Sequence, residues 1–166
     1  MSIDEQVQIS DTAIAKIEKW LKKFPEDKRQ SAVIPALHIV QDENNGWLSE
    51  PLLEAVADYL GMPKIKVFEV ATFYNMFDLK PVGCHKIGVC NSISCHLMGS
   101  EDVLEHLEKK LQVQPGDTTK DGKFTLKEVE CLGACRNGPV MFLDKQYHEE
   151  LTVEKVDKII DGLKDK

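Results

Sequence analysis

The chain has 166 residues, a length that suits one domain or two small ones and is sufficient to bury a hydrophobic core. Hydrophobic residues make up 42% and charged residues 30%, proportions that exclude a wholly disordered protein. Lys and Arg number 21 against 28 Asp and Glu, and the net charge of −7 argues against nucleic-acid binding, because phosphate contacts depend on cations.

The first ten residues are acidic and are expected to form a tail. They have neither the basic start nor the apolar stretch of a signal peptide. No later apolar run approaches the ~18 residues of a membrane span, so membrane attachment is expected only through a partner. We therefore expect a reducing compartment, in which the five cysteines are ligands or catalysts rather than disulfides.

The first half contains segments whose apolar residues recur three and four apart, the spacing of one helix face. Pro25, Asn44 to Gly46, and Gly61 end the first three segments, and Pro63 suits the start of the fourth. Residues 10–78 therefore predict a small helical bundle. The inward residues predicted for the four helices are Ile14, Ile17, Trp20, Leu21 and Phe24; Val33, Ile34, Leu37 and Val40; Leu52, Leu53, Val56 and Leu60; and Ile65, Phe68, Thr72 and Met76.

Three aromatic residues at the end of the fourth predicted helix allow two interpretations. Phe73, Tyr74 and Phe77 are spaced as bundle core, because apolar residues three and four apart usually face inward. They also suit a partner-facing anchor, because aromatic residues are enriched in the cores of interfaces.

After Lys80 and Pro81 the sequence pattern changes from helices alone to a mixture of strands and helices. The order strand–helix–strand–strand–strand–helix predicts a mixed sheet covered by helices, an α+β fold. We therefore expect two domains, a tail and helical bundle at 1–80 and a sheet-containing domain at 81–166. The predicted strands are 85–90, 124–129, 140–143 and 147–151, and the predicted helices are 98–111 and 153–163.

Four of the five cysteines form two close pairs, Cys90 with Cys95 and Cys131 with Cys135. Each pair follows a predicted strand and lies in a loop of small or polar residues. Such loops hold thiolates rigidly and leave backbone N–H groups free to point at sulfur, and Gly133 permits close approach to an inorganic ligand. Four thiolates from two loops suit a 2Fe–2S cluster, with two ligands for each iron.

Other interpretations of these cysteines stay open on spacing alone. A structural zinc site also takes four cysteines, although zinc modules favour tighter pairs such as C-x2-C. A dithiol oxidoreductase would use C-x-x-C, which this sequence lacks. Ordinary buried thiols are a third interpretation, because free cysteine behaves as a small hydrophobe. His96 could replace one thiolate, as histidine does in Rieske centres, but four cysteines already suffice.

Cys84 is expected to lie outside this site. It precedes Cys90 by six residues, which along an extended strand is ~20 Å and too far for one small cluster. The dipeptide Cys84-His85 also cannot present both side chains together, because adjacent residues on a strand point to opposite faces.

The cysteine motifs carry a family resemblance. The segment DGKFT at 121–125, followed after five residues by CLGACRNGP at 131–139, resembles the signature of the thioredoxin-fold 2Fe–2S subunit of NADH-quinone oxidoreductase (respiratory complex I). CNSISCH at 90–96 matches the first ligand loop of that family. The resemblance extends upstream to VATFY at 70–74 and NGW at 45–47, with no departure at a ligand position.

The resemblance implies a thioredoxin-like domain with a mixed four-stranded sheet, preceded by the helical bundle. It implies that Cys90, Cys95, Cys131 and Cys135 bind one 2Fe–2S cluster. It makes Pro139, which precedes a predicted strand, a candidate for the cis-proline of thioredoxin folds. Cys84 is an addition that the family pattern does not require.

The resemblance further implies an electron-carrier subunit with no substrate active site of its own. Its partners would be the flavoprotein subunit that holds FMN and the NADH site, and other peripheral-arm subunits. The cluster would exchange single electrons with that flavin, on the cytoplasmic side of the bacterial inner membrane. The sequence itself has no G-x-G-x-x-G after a strand and so predicts no nucleotide site of its own.

Two alternatives accompany this prediction. An equivalent subunit serves NAD-dependent formate dehydrogenases and NAD-reducing hydrogenases, and the neighbouring genes would discriminate these complexes. A free-standing thioredoxin-like ferredoxin would act as a soluble shuttle. The predicted bundle discriminates against that alternative, because a docked subunit can use it as an interface.

Overall fold

The computed structural model describes residues 8–164 of the chain. The chain forms two compact units, the first ending at Pro81 and the second beginning at Val82. The tail predicted for the first ten residues lies largely outside the described part. No helix within residues 8–164 is long and apolar enough to cross a membrane.

The first unit consists of helices around one apolar core. The largest fully buried side chains come from different helices and the connections between them, so the core joins all of these elements. The helices are α1 (Asp11–Leu21), α2 (Val33–Glu43), α3 (Glu50–Leu60) and α4 (Lys64–Phe73), with a 3₁₀ segment (Glu26–Ala32) before α2.

Local chemistry defines the ends of these helices. The Ser10 hydroxyl accepts a hydrogen bond from the backbone N–H of Ala13 at 3.0 Å and caps the start of α1. Gly61 follows α3 with a φ of 67°, a left-handed conformation that glycine adopts without steric cost. The capping residue Ser10 and the glycine Gly61 therefore place the start of α1 and the end of α3 where the sequence predicts them.

The prediction of the inward face of the fourth helix is wrong. α4 buries Val67 and Ala71, whereas Ile65 and Thr72 are exposed. The helix ends at Phe73, so Met76 lies beyond it. The segment carries apolar residues on every side, and a spacing of three and four therefore does not select one face.

The bundle-core interpretation of the helix-four aromatics is confirmed for Phe77 and is wrong for Phe73 and Tyr74. Phe77 is 5% exposed and packs against His38, with ring centroids 4.9 Å apart. Phe73 is 79% exposed, and Tyr74 is also exposed. Gln41 is buried beneath this segment and donates to the Met76 carbonyl at 3.1 Å. The exposed aromatics therefore border a backbone that a buried side chain holds in place.

The second unit is built on a four-stranded mixed sheet in the order β2-β1-β3-β4. β1 pairs in parallel with β2 and antiparallel with β3, and β4 completes a hairpin with β3. The elements are β1 (His85–Cys90), α5 (Ile93–Leu97), α6 (Ser100–Leu111), β2 (Phe124–Val129), a 3₁₀ turn (Cys135–Asn137), β3 (Met141–Leu143), β4 (Gln146–His148) and α7 (Val153–Lys164).

One face of the sheet is covered by α6 and α7. Ile87 and Leu126, partners across the parallel pair, pack in one cluster with Leu107 of α6 and Ile160 of α7. The predicted mixed sheet covered by helices is confirmed.

The predicted continuous helix at 98–111 is wrong at its start. Gly99 has a φ of 91°, which interrupts the helix, so α6 begins at Ser100. A separate short helix, α5, precedes it inside the first cysteine loop. The left-handed glycine lets the chain change direction between the two helices.

Gly88 in the centre of β1 lies beneath an aromatic ring. A Cβ at this position would meet the ring of Phe142, the residue opposite it on β3, at 2.1 Å. By contrast, a Cβ on Gly162 in α7 would meet nothing within 4 Å.

We predict that Gly88→Ala lowers the free energy of unfolding of the protein by about 1–3 kcal/mol, because the ring and the strands must shift to admit the methyl group. The control Gly162→Ala should raise it by about 0.5–1 kcal/mol, because alanine is the better helix former. Urea denaturation followed by circular dichroism measures both. Equal effects of the two substitutions would contradict the packing argument.

An ion network links α6 to α7. Lys110 Nζ lies 2.7 Å from Asp157 Oδ1 and 2.8 Å from Asp161 Oδ1, and His106 Nε2 lies 2.8 Å from Asp157 Oδ1. Lys110, followed by His106, lowers the pKa of the Asp157 carboxyl below its ordinary value. A carboxyl with a lower pKa in the folded state stabilises that state above its unfolded pKa and loses the effect as the pH falls through the folded value.

We predict that Asp157→Asn lowers the thermal unfolding midpoint at pH 7. The difference from the unchanged protein should narrow as the pH falls below the ordinary Asp value of 3.8. The control Glu105→Gln removes an exposed pair with Lys109 on α6 and should change the midpoint little at either pH. An Asp157→Asn difference that does not vary with pH would show that the network does not act through this carboxylate.

Candidate metal centre

Parallel pairing of β1 with β2 brings the two cysteine loops together. Cys90, the last residue of β1, is paired with Val129, the last residue of β2, so both strands end at the same edge of the sheet. The backbone N–H of Asn91 donates to the Val129 carbonyl at 2.9 Å, and its side chain donates to Glu128 Oε1 at 2.7 Å. These bonds continue the pairing beyond the strand and fix the start of the first loop against the second.

The first pair of cysteines is buried. Cys90 is 1% exposed at the end of β1, and Cys95 is 2% exposed as the buried residue of α5. Both pack with Val140, against which Leu132 and Ala134 of the second loop also lie. The first pair is therefore enclosed by apolar residues from the second loop and from the segment before β3.

The second pair lies at the surface. Cys131 and Cys135 are exposed, and their sulfurs are 3.8 Å apart. The backbone N–H of Gly133 donates to Cys131 Sγ at 3.4 Å. Gly133 has a φ of 76°, and this left-handed conformation turns the loop back toward the preceding sulfur.

The buried thiols differ in acidity. Burial by itself raises the pKa of Cys90, but the backbone N–H groups of Leu132 and Ser92 donate to its sulfur, and the net pKa lies below its ordinary value. Burial raises the pKa of Cys95, and its hydrogen bond to Cys90 raises it further, although the Val140 N–H opposes both effects. Backbone donors therefore point at both sulfurs, as they would toward ligand thiolates.

All four predicted site cysteines lie at this edge of the sheet. Cys95 is close enough to Cys135 for their charges to interact, which links the buried pair to the exposed pair. Cys84 precedes β1 and lies at the opposite end of that strand from Cys90. His96 is exposed in α5, with Nδ1 3.8 Å from Glu101 Oε2.

Gly138 packs closely against the first loop beside the buried sulfurs. A Cβ on Gly138 would lie 3.0 Å from Met98 Sδ and 3.5 Å from Cys95 Sγ, so any larger residue would crowd the buried thiol. The Gly138–Pro139 peptide bond is cis. Sequence reasoning did not place Met98 beside the thiols, and the only signal for it was its position three residues after Cys95.

The donor set fits a two-iron group. The sulfurs are arranged as two pairs, and a 2Fe–2S cluster takes two cysteines on each iron. The backbone N–H groups aimed at the sulfurs are surroundings that such a group requires.

The fold and the paired cysteines together define an iron–sulfur protein of the thioredoxin-like class. The model of the thioredoxin-like [2Fe-2S] ferredoxin family matches residues 17–164, and the chain belongs to this family.

The similarity to curated proteins is more specific than the match to the family model. The chain is 50% identical to the E subunit of the NADH-quinone oxidoreductase of Rickettsia conorii, over 88% of this chain and 87% of the relative. It is 49% identical to the subunit of the same name in Rickettsia felis, over 87% and 86% of the two chains. Among solved structures, an NAD+-reducing [NiFe]-hydrogenase in the H2-reduced state is similar in fold, with a TM-score of 0.70 and 20% identity. That match covers 81% of this chain and 22% of the hydrogenase chain.

We predict that Gly133→Ala weakens metal retention, because a left-handed alanine costs about 1–2 kcal/mol and favours a backbone that withdraws the N–H from Cys131. The control Gly122→Ala carries similar strain at a φ of 70° in a turn outside the two cysteine loops, also with nothing within 4 Å of its Cβ. Both variants should lose similar stability in urea, but only Gly133→Ala should release iron faster to a chelator. Equal release rates would show that the Gly133 N–H has no role in holding the metal.

Proposed function

We propose that this chain is the one-electron carrier subunit of an NADH-quinone oxidoreductase and holds a 2Fe–2S cluster. The observation that carries the proposal is the meeting of two cysteine pairs at one edge of the sheet, in a chain 50% identical to a component of such an enzyme. The chain is a component of an oxidoreductase whose substrates bind elsewhere in the complex.

The proposed ligands are Cys90, Cys95, Cys131 and Cys135. The chemistry of the donor set supports them, because the four thiols form two pairs from two loops that leave the same edge of the sheet. When bound, a 2Fe–2S cluster accepts and returns a single electron. Cys84 is not among the proposed ligands.

The chain's own residues create the environment of the sulfurs. Leu132, Ser92, Val140 and Gly133 direct backbone N–H groups at three of the thiols and stabilise negative charge there. The apolar packing around Cys90 excludes water from one side of the site. Hydrogen bonds to sulfur and exposure to solvent are two of the properties by which a protein sets a cluster's reduction potential.

The proposed partner is the flavoprotein subunit that contains FMN and the NADH site, assembled with other peripheral-arm subunits. The location is then the cytoplasmic side of the bacterial inner membrane, reached through the complex. The names of the curated relatives support this assignment over a hydrogenase or formate dehydrogenase subunit, because the likeness to the hydrogenase concerns the fold. Genes for proton-pumping membrane subunits beside this gene would support it further.

We predict that Cys135→Ala abolishes or destabilises the 2Fe–2S cluster, because one iron loses a thiolate with no adjacent cysteine to replace it. The domain should also unfold more easily, since cluster-binding free energy is partly folding free energy. The control Cys84→Ser removes a thiol from the opposite end of β1 and should leave the cluster spectrum nearly unchanged.

The measurement is the absorption and EPR spectrum of anaerobically purified protein, with iron, acid-labile sulfide and zinc analysis. Loss of the signal in Cys84→Ser alone, or equal spectra in the two variants, would contradict the ligand assignment. Stoichiometric zinc without acid-labile sulfide in the unchanged protein would overturn the proposed function.

A further inference from the structure

The turn that carries Cys135 is bonded to a segment outside the two cysteine loops. Cys135 begins the 3₁₀ turn that ends at Asn137. Asn137 contacts residues 149–151, which are part of the connection between β4 and α7. Its side-chain Nδ2 donates to Glu149 Oε2 at 2.6 Å, and its carbonyl accepts a hydrogen bond from the backbone N–H of Glu150 at 2.7 Å. Two bonds therefore join the end of the cysteine turn to this connection.

The connecting segment is itself anchored to the core of the second unit. Leu151 is 5% exposed and packs in the apolar cluster that joins the sheet to α6 and α7. Its backbone N–H donates to the Pro139 carbonyl at 3.1 Å. Lys155 Nζ, from α7, donates to the Glu149 carbonyl at 2.5 Å. The contacts of Asn137 thus connect the cysteine turn to a part of the chain that packing holds in place.

The backbone of Glu150 supports a specific role for this connection. Its φ of 50° is left-handed, a conformation that is unfavourable for a residue with a Cβ and persists where surrounding contacts fix the chain. In this conformation its N–H meets the Asn137 carbonyl. Unfavourable backbone conformations are concentrated at functional sites, so we looked for a function of the contact with Asn137.

Cys135 is the thiol that most needs such a contact. Apolar packing holds Cys90 and Cys95, which are buried, whereas Cys135 is exposed. Its position therefore depends on the backbone of its turn. Residues that do not touch a metal but orient its ligands strengthen metal binding, because they reduce the freedom of the ligand side chain.

We propose that Glu149, through its hydrogen bond to Asn137, is a positioning residue for the iron–sulfur cluster. Glu149 holds the turn in the conformation that presents the Cys135 thiolate to iron. The inference rests on the proposed function, because the exact place of this thiolate matters only if it is a ligand. The role requires an oxygen acceptor at position 149 and does not require its negative charge.

A similar pair elsewhere in the second unit supplies the control. Gln114 Nε2 donates to Glu108 Oε2 at 3.3 Å, which is also an amide–carboxylate hydrogen bond, between α6 and the loop that follows it. Glu108 and Glu149 are both half-buried. Glu108→Ala therefore removes a comparable bond outside the cysteine loops and measures the effect of such a loss on the fold alone.

The test measures the rate at which the cluster-loaded chain releases iron to a chelator. Glu149→Ala and Asn137→Ala should each release iron roughly three- to tenfold faster than the unchanged protein, the range expected for the loss of one hydrogen bond. Both should also broaden the EPR spectrum of the reduced cluster, because the geometry at one iron becomes less uniform. Glu108→Ala should change neither the rate nor the spectrum.

Two further variants separate the hydrogen bond from the charge. Glu149→Gln keeps an oxygen acceptor in the same place and should release iron at nearly the rate of the unchanged protein. The double variant Asn137→Ala with Glu149→Ala should release iron no faster than either single variant, because all three lack the same bond. Additive effects would contradict the pairing, and failure of Glu149→Gln to restore retention would contradict the role of the acceptor.

The remaining outcomes distinguish this proposal from the proposed function. Unchanged iron release in Glu149→Ala and Asn137→Ala, with a 2Fe–2S spectrum in every variant, overturns the positioning role and leaves the proposed function standing. Equal acceleration by Glu108→Ala also overturns it, because the effect would then be one of general stability. An unchanged protein that contains no 2Fe–2S cluster after anaerobic purification overturns both proposals.

Discussion

The parallel pairing of β1 with β2 is the contact on which the cysteine site depends. It places Cys90 opposite Val129, so two loops that are far apart in sequence begin side by side. Side chains alternate along a strand, so a slip of one residue would turn Cys90 toward the other face of the sheet. Packing of Ile87 beside Leu126 and against α6 and α7 opposes such a slip, because it would turn Ile87 out of this cluster. The hydrophobic core of the second unit thus specifies the geometry of the thiols.

The two cysteine pairs have different surroundings at this edge. Cys90 and Cys95 lie among apolar residues and receive backbone N–H donors, whereas Cys131 and Cys135 face solvent. α5 produces much of this difference, because it buries Cys95 while its aliphatic side chains stay outside. The site therefore has an enclosed side, where apolar packing holds the first pair of thiols in place, and an open side at the second pair.

Sequence reasoning succeeded where the structure depends on residues that are adjacent in the sequence. The strand before each cysteine loop, the cap at Gly61 and the mixed sheet follow from local alternation and turn residues. It was wrong about α4, where apolar residues on all sides leave several faces possible, and the contact with α3 decides in favour of Val67. It also missed the break at Gly99, because an isolated glycine inside a helical pattern is tolerated and does not by itself mark a break.

The sequence by itself determined the candidate site residues: four cysteines in two pairs, each behind a strand, in loops with the glycine that the turn at Gly133 requires. Those features are local, because a strand and the loop after it are encoded by adjacent residues. Only the tertiary structure decided that one pair is buried and the other exposed, and that Met98 lies beside the thiols. Burial at Cys90 comes from Val140 and Leu132, which reach it through strand pairing and packing between distant parts of the chain, and no local pattern encodes that contact.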